Sequence, residues 1–327
     1  MVKLRIISDI HFTDGINNSD GKTIEHTPFG HYFHKPLTEQ QDCVTLIAGD
    51  MATSLEETEK FLNGFFPNQQ VIFIEGNHLV YQRTMKTIFE LKDELKEKYP
   101  LEHLLWHYLE NDWMWIPNTN NEVAIIGSTF YTDYEYTHLT LDEYNEIEKK
   151  YHNIANVFGY GDGSEYIPEK ELTKDLIIRH NMFNAQESLN DFRWGWETPS
   201  RKISPQLYRE LHLKSKEEIK RCYNEIIRIN PNAKIILMTH HCLSAQCIDE
   251  KYKNHKANAS YVSDLEDWIK QFNNLKLIIS GHVHCGKDFM IGDKKYVVNA
   301  CGYIAYQEAH RKNGKFNPNF IIDTDDL

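Results

Sequence analysis

The chain has 327 residues, of which 41% are hydrophobic and 26% charged. A chain of this length and composition buries a substantial core without disulfides, and suggests either two domains or one large α/β domain carrying an insertion. Its 48 acidic and 36 basic side chains give a formal charge of −12, which argues against broad binding to long nucleic acid, since that depends on Lys and Arg neutralising phosphates.

No run reaches the roughly 18 apolar residues a membrane span needs, and the opening residues Met1–Phe12 lack a secretory pattern. The six cysteines, Cys43, Cys222, Cys242, Cys247, Cys285 and Cys301, are irregularly spaced and form no Cys-x-x-Cys pair. They read as free thiols, and the expected location is the cytoplasm, with no membrane partner.

In chain order, Leu4–Ser8, Val44–Ala48 and Val71–Glu75 are short apolar runs that read as buried strands. Leu55–Phe66 reads as an amphipathic helix between the second and third, and Met85–Tyr99 as another, with Ile88, Leu91 and Leu95 on one face. Val123–Gly127 is a further strand. This rhythm predicts an α/β layer structure. From Tyr134 to Asn232 the texture becomes polar, aromatic and helical, which predicts a mostly helical insertion over 134–232 within a single domain spanning 1–327. Strand signals return at Lys234–Thr239 and Leu275–Ser280. Phe289–Ile291 and Tyr296–Asn299 flank Gly292-Asp293, a hairpin signal, and Phe320–Asp323 reads as an edge strand.

Five of these strands end in the same kind of punctuation. They run into Asp9-Ile10-His11, Gly49-Asp50, Gly76-Asn77-His78, His240-His241 and Gly281-His282-Val283-His284. Ligands of open α/β sheets gather outside the carboxyl ends of strands, so Asp9, His11, Asp50, Asn77, His240, His282 and His284 are expected in one crevice. Imidazole, carboxylate and amide donors together suit two di- or trivalent metal ions, with Mn, Fe, Zn, Ni and Mg all compatible. Strand alternation is expected to put both side chains of Asp-x-His, and both of His-x-His, on the same side. The remaining histidines, among them His26, His31, His34, His103, His107, His152 and His180, read as surface or packing residues.

The ordered set Asp-x-His, Gly-Asp, Gly-Asn-His, Thr-His-His and Gly-His-x-His resembles the calcineurin-like metallophosphoesterase superfamily, over a span from Asp9 to His284. Further stretches, Gly127–Asp133, Asn190-Asp191-Phe192-Arg193, Tyr261–Glu266 and Asn299–Tyr303, look like one bacterial-type branch that does not define a substrate. The resemblance implies an α/β fold, a four-layer β-sandwich flanked by helices, with a dinuclear site at one end. Carried over residue by residue, Asp9, His11 and His284 would hold the first metal, Asn77, His240 and His282 the second, and Asp50 would bridge them.

The same resemblance implies a metal-dependent phosphoesterase in which a hydroxide bridging the two ions attacks the phosphorus. A phosphodiester, in the form of a small nucleotide-type substrate, is the leading expectation. A phosphomonoesterase or protein phosphatase, a nuclease, and a non-catalytic metal-binding scaffold are the alternatives. His78 would stabilise the transition state or protonate the leaving oxygen. The superfamily usually has an acid after this histidine, but here the residue is Leu79. Another acid, such as Asp14 or Asp133, could stand in for it spatially. His241 reads either as a site residue or as a packing residue turned away from the metals. Arg193 and Tyr303 are candidate substrate contacts, with structural pairing to Asp191 and simple burial as the respective alternatives. Trp194 and Trp196 read as packing between insertion and core, with a cap that offers their rings to a flat group as the alternative.

Overall fold

In the computed structural model, residues 1–12, 43–81, 86–303 and 316–327 are described. Two mixed sheets stack face to face. The first has the order β13-β1-β2-β3-β4, with β1 Lys3–Ile7, β2 Cys43–Ala48, β3 Val71–Ile74, β4 Trp106–Tyr108 and β13 Ile321–Asp323. Strands β1 to β4 are parallel and β13 closes the edge antiparallel. The second has the order β11-β12-β10-β9-β6-β5, with β5 Asp112–Trp115, β6 Val123–Ser128, β9 Lys234–Thr239, β10 Leu275–Ser280, β11 Lys287–Ile291 and β12 Lys294–Val298. Its four inner strands are parallel and both edge strands antiparallel.

Period-2 alternation explains the stacking. On β1, Leu4 and Ile6 point between the sheets, as do Val44 and Leu46 on β2 and Ile236 and Met238 on β9. The alternate residues face outward under helices. On the first sheet, Ile47 and Phe73 meet α1 (Leu55–Phe65) and α2 (Ile88–Lys98) through Phe61, Leu62, Leu91 and Leu95. On the second, Ile235 and Leu237 meet α6 (Pro205–Ile229) and α7 (Glu266–Lys270) through Ile219, Cys222, Ile226 and Ile269. Helix, sheet, sheet and helix make the four layers expected from the sequence.

The helices start where their caps are. Ser54 accepts from the Glu57 N–H, Thr87 and Glu90 form a reciprocal capping box, and Thr140 and Glu143 repeat it. The second helix begins at Ile88; Met85, where the sequence placed its start, lies outside the described residues. The hairpin between β11 and β12 turns at Gly292-Asp293, with Gly292 at φ +63°.

The stretch 134–232 is not uniform. It holds α3 (Leu141–Val157), α4 (Lys174–Ser188), the single-turn α5 (Asp191–Trp194), a ribbon of β7 (Trp196–Thr198) and β8 (Arg201–Lys202), and all of α6. The N-terminal half of α6 joins α4 and α5 in a separate apolar cluster with Tyr131, Tyr134, Phe192 and Val80. The C-terminal half of α6 belongs to the outer layer of the second sheet. No helix among the described residues is long and apolar enough to cross a membrane.

Candidate metal centre and its cavity

The carboxyl ends of β1, β2 and β3 in the first sheet and of β9 and β10 in the second converge, and the loops leaving them are tied to one another through the backbone. The Asp9 N–H donates to the Gly49 carbonyl at 3.1 Å, the His11 N–H to the Asp50 carbonyl at 2.9 Å, and the Gly281 N–H to the His240 carbonyl at 3.0 Å. All seven side chains singled out in the sequence meet there. Three overlapping groups each have their ligand atoms within 4.8 Å of one another: Asp9, His11 and His284; His11, Asp50 and His78; Asp50, His240 and His282.

Strand alternation is not what brings them together. Asp9, His11, Asp50, His282 and His284 all lie beyond their strands with φ between +45° and +69°, in the left-handed region. Asp and His tolerate that region better than most residues, and such strain gathers at functional sites. The expectation of an extended Asp-x-His and His-x-His is therefore corrected. Each pair converges because both of its residues turn through left-handed backbone.

Glycine makes room where the sequence placed it. Gly49 has φ +86°, and a Cβ there would run into the His240 ring. At Gly76 a Cβ would fall onto the Asp50 carboxylate and within 2.6 Å of His240 Nε2.

The donor set fits two cations. Asp50 Oδ2 lies 3.3 Å from His240 Nε2, 3.8 Å from His78 Nε2 and 4.0 Å from His11 Nε2. The Nε2 atoms of His11 and His284 face each other at 2.9 Å, and His284 Nε2 is 3.5 Å from Asp9 Oδ1. Asp9 Oδ2 and His282 Nε2 are buried without a hydrogen-bond partner. Buried lone pairs converging without donors are what a bound cation satisfies. The tautomer of His240 is set from behind, because its Nδ1–H donates to the Ala48 carbonyl at 3.0 Å and leaves Nε2 for the site.

Electrostatics in the metal-free protein follow the same arrangement. Burial alone would raise Asp50, but the charges of His240 and His78 hold its carboxyl well below the usual range. Burial would lower His240, yet the Asp50 carboxylate raises it to about 9. Burial pushes His11, His282 and His241 down. Behind them sits Glu75, which carries no signal in the sequence beyond closing an apolar run. Both its oxygens lack hydrogen-bond partners, and burial pushes it up to about 8.

The site floors a cavity of about 460 Å³. Asp50, Asn77, His78, His282, His284 and Tyr303 form the base. Tyr81, Ser188–Asp191 and the loop residues Asp249, Lys251, Tyr252, His255, Asn258 and Tyr261 form the walls. The wall loops were not foreseen, since they have no hydrophobic period to read. His78 faces this cavity. Its backbone N–H donates to Asp50 Oδ1 at 3.0 Å, its Nε2 is 3.0 Å from the Tyr303 hydroxyl, and its ring packs on Tyr81 at 4.1 Å. Tyr303 also stacks on His11 at 4.3 Å between centroids, so this candidate sits at the site.

Other candidates fall elsewhere. Arg193 is exposed, its guanidinium donates to the Glu187 carbonyl at 3.0 Å, and it does not line the cavity; its supposed partner Asp191 turns inward instead. His241 is buried between Tyr131 and His282, with ring centroids at 5.3 and 4.2 Å, and is not in the cavity wall. Asp133 lies 3.8 Å from His212 and away from the cavity, and Asp14 lies outside the described residues. Trp194 packs near Tyr81 at 5.9 Å, and Lys202 covers the Trp196 ring at 3.6 Å.

No family model matches the chain, and no curated protein matches its sequence. Among solved structures, phosphopantetheinyl hydrolase from Mycobacterium tuberculosis superposes over 98% of this chain and 96% of its own, with a TM-score of 0.62 at 16% identity. A dimetal phosphatase from Danio rerio aligns over 91% and 86% with a TM-score of 0.46 at 11% identity. A putative 5'-nucleotidase from Staphylococcus aureus, in complex with α-ketoglutarate, aligns over 91% of this chain but 48% of its own, with a TM-score of 0.43 at 14% identity. The first shares this chain's fold from end to end. The other two are too distant to carry more.

Proposed function

We propose that this chain, which has the calcineurin-like metallophosphoesterase fold, is a metal-dependent phosphoesterase that hydrolyses a small phosphodiester of nucleotide size. The convergence of seven ligand-type side chains from five strand ends, four of them (Asp50, Asn77, His282 and His284) in the floor of one cavity, carries this reading. Asp9, His11 and His284 would hold one cation, Asn77, His240 and His282 a second, and Asp50 would serve both. Two divalent cations, when bound, offset the charge of phosphoryl oxygens and lower the pKa of water toward neutrality.

The rest falls to the protein. His78 sits beside Asp50 with its Nε2 in the cavity, placed to give a hydrogen bond or a proton to the leaving oxygen. Burial pushes its imidazole toward the neutral form, against the charges of Asp50 and Asp191. Tyr303 holds the ring and covers His11. In the walls, Tyr81, Tyr252 and Tyr261 offer aromatic faces to a flat group. A cavity of about 460 Å³ takes a small molecule rather than a folded polypeptide or a duplex, and the charge of −12 agrees. The phosphopantetheinyl group named for the first structural neighbour is another small substrate of this size class, to be tested beside nucleotides.

The test is hydrolysis of bis-p-nitrophenyl phosphate against p-nitrophenyl phosphate by metal-stripped protein, with Mn, Ni, Zn or Mg restored in turn. Turnover that needs metal, favours the diester and falls at least about 100-fold in Asp50→Asn supports the proposal. Preference for the monoester makes the enzyme a phosphatase. No turnover by protein that still binds two ions leaves a narrowly selective site or a binding module, which a co-purifying ligand would separate.

A further inference from the structure

The structure assigns to Asp191, carried by α5 of the inserted segment, the positioning of the Asn77 carboxamide so that its oxygen faces the second cation. This rests on the metal site proposed above and extends it to a residue outside the ligand set.

An asparagine presents two ends of almost equal shape, of which only the oxygen has a lone pair for a cation. Left to itself, Asn77 would be free to turn its NH2 into the site. Asp191 prevents this from the other side. The Asn77 Nδ2–H donates to Asp191 Oδ1 at 3.2 Å, which leaves Asn77 Oδ1 pointing inward, 3.1 Å from His240 Nε2.

The Asp191 carboxylate is itself clamped. The Tyr81 hydroxyl donates to the same Oδ1 at 2.6 Å, and the Tyr208 hydroxyl, from α6, donates to Oδ2 at 3.0 Å. Asp191 is 2% exposed and Tyr208 likewise 2%. The short helix has little freedom to shift. Just after it, Gly195 sits so close to the turn that carries Asn77 that a Cβ there would come within 3.0 Å of the Val80 Cβ. The insertion is thus keyed to the floor of the site through one carboxylate. The position after His78, held by Leu79, contributes no charge; Asp191 brings an acid to that turn from a separate part of the chain, through Asn77 and Tyr81.

The test is an exchange of the two groups, read by calorimetric titration of metal-stripped protein with Mn2+, with thermal unfolding as the check on folding. Wild type is expected to take up two ions. Asp191→Asn should lower the affinity of one ion by about 10–100-fold and leave the other unchanged. The double variant Asn77→Asp with Asp191→Asn should recover most of that loss. An aspartate at 77 ligates through either oxygen, and the new amide at 191 can donate to the one left over. Tyr208→Phe, which removes one clamp donor without altering charge, should weaken the same ion by a smaller factor and serves if Asp191→Asn does not fold.

A merely structural Asp191 would leave the exchanged variant no better than Asp191→Asn alone. That result overturns the inference, as does Asp191→Asn protein, or Tyr208→Phe protein in its place, that keeps both affinities or loses both equally. Failure of wild type to bind a second ion would overturn the metal reading itself, and this inference with it.

Discussion

At the scale of single residues, the site depends on backbone that most side chains would avoid. Left-handed conformations at Asp9, His11, Asp50, His282 and His284 cost of order 1–3 kcal/mol each, offset by the interlocking hydrogen bonds of their loops. The glycines are equally constrained. Gly76→Ala would drive a methyl into the space between Asp50 and His240. The expected outcome is a folded protein whose metal content by elemental analysis falls from two ions toward one or none, with turnover down at least about 10-fold. Full metal content in Gly76→Ala would count against the placement of both ligands. The ligand types were legible in the sequence because Asp, Asn and His come after short apolar runs at five strand ends. Their geometry was not, because a period-2 rule ends where the strand ends. Asp191 invites pairing with its neighbour Arg193, since nothing in a linear sequence points to a contact with Asn77 across 114 residues.

Among the elements, the strands were legible where they are apolar and central, and so were helices with clear faces. Strands β4 and β5 were missed. The first is three residues long, and the second, Asp112–Trp115, is half-buried along its whole length and shows no alternation. Helices α3 and α4 were visible only as a helical texture, since their packing is aromatic and polar. His180 on α4 illustrates it. It is 1% exposed, meets the Tyr144 ring edge-on at 4.8 Å, and its Nε2 has no hydrogen-bond partner. Burial pushes it down to about 4. The unfolded chain, with an imidazole near 6.5, therefore takes up this proton first. The stability it confers is complete above about pH 6.5 and is lost as pH falls toward about 4. His180→Gln should flatten the urea-midpoint profile in that window and leave it unchanged above it. An unaltered acid limb would show that this ring is not the group responsible.

Across the whole molecule, the two sheets are joined by more than apolar side chains. Lys92 on α2 donates to Glu110 Oε1 at 2.7 Å, and Glu110 accepts from the Thr129 N–H and hydroxyl at 3.1 and 2.6 Å. Glu110 lies between β4 of one sheet and β5 of the other, and Thr129 comes directly after β6, so one buried carboxylate ties an outer helix to both sheets. The Thr129 carbonyl also accepts from the His240 N–H. Lys92→Met would strand Glu110 and is expected to cost about 3–5 kcal/mol in denaturant unfolding, while Lys92→Met with Glu110→Gln should cost clearly less. Equal losses in the two variants would show that the pairing is not what stabilises the junction.

The residues proposed as ligands also carry an order in time. His11 is synthesised 273 residues ahead of His284, which faces it across the site. On the proposed assignment neither set is complete until the turn after β10 brings in His282 and His284, so a chain that stops short of it lacks one donor of each set. Cation uptake would then be a late event, one that reports the docking of β10 beside β9 with the earlier strands already in place.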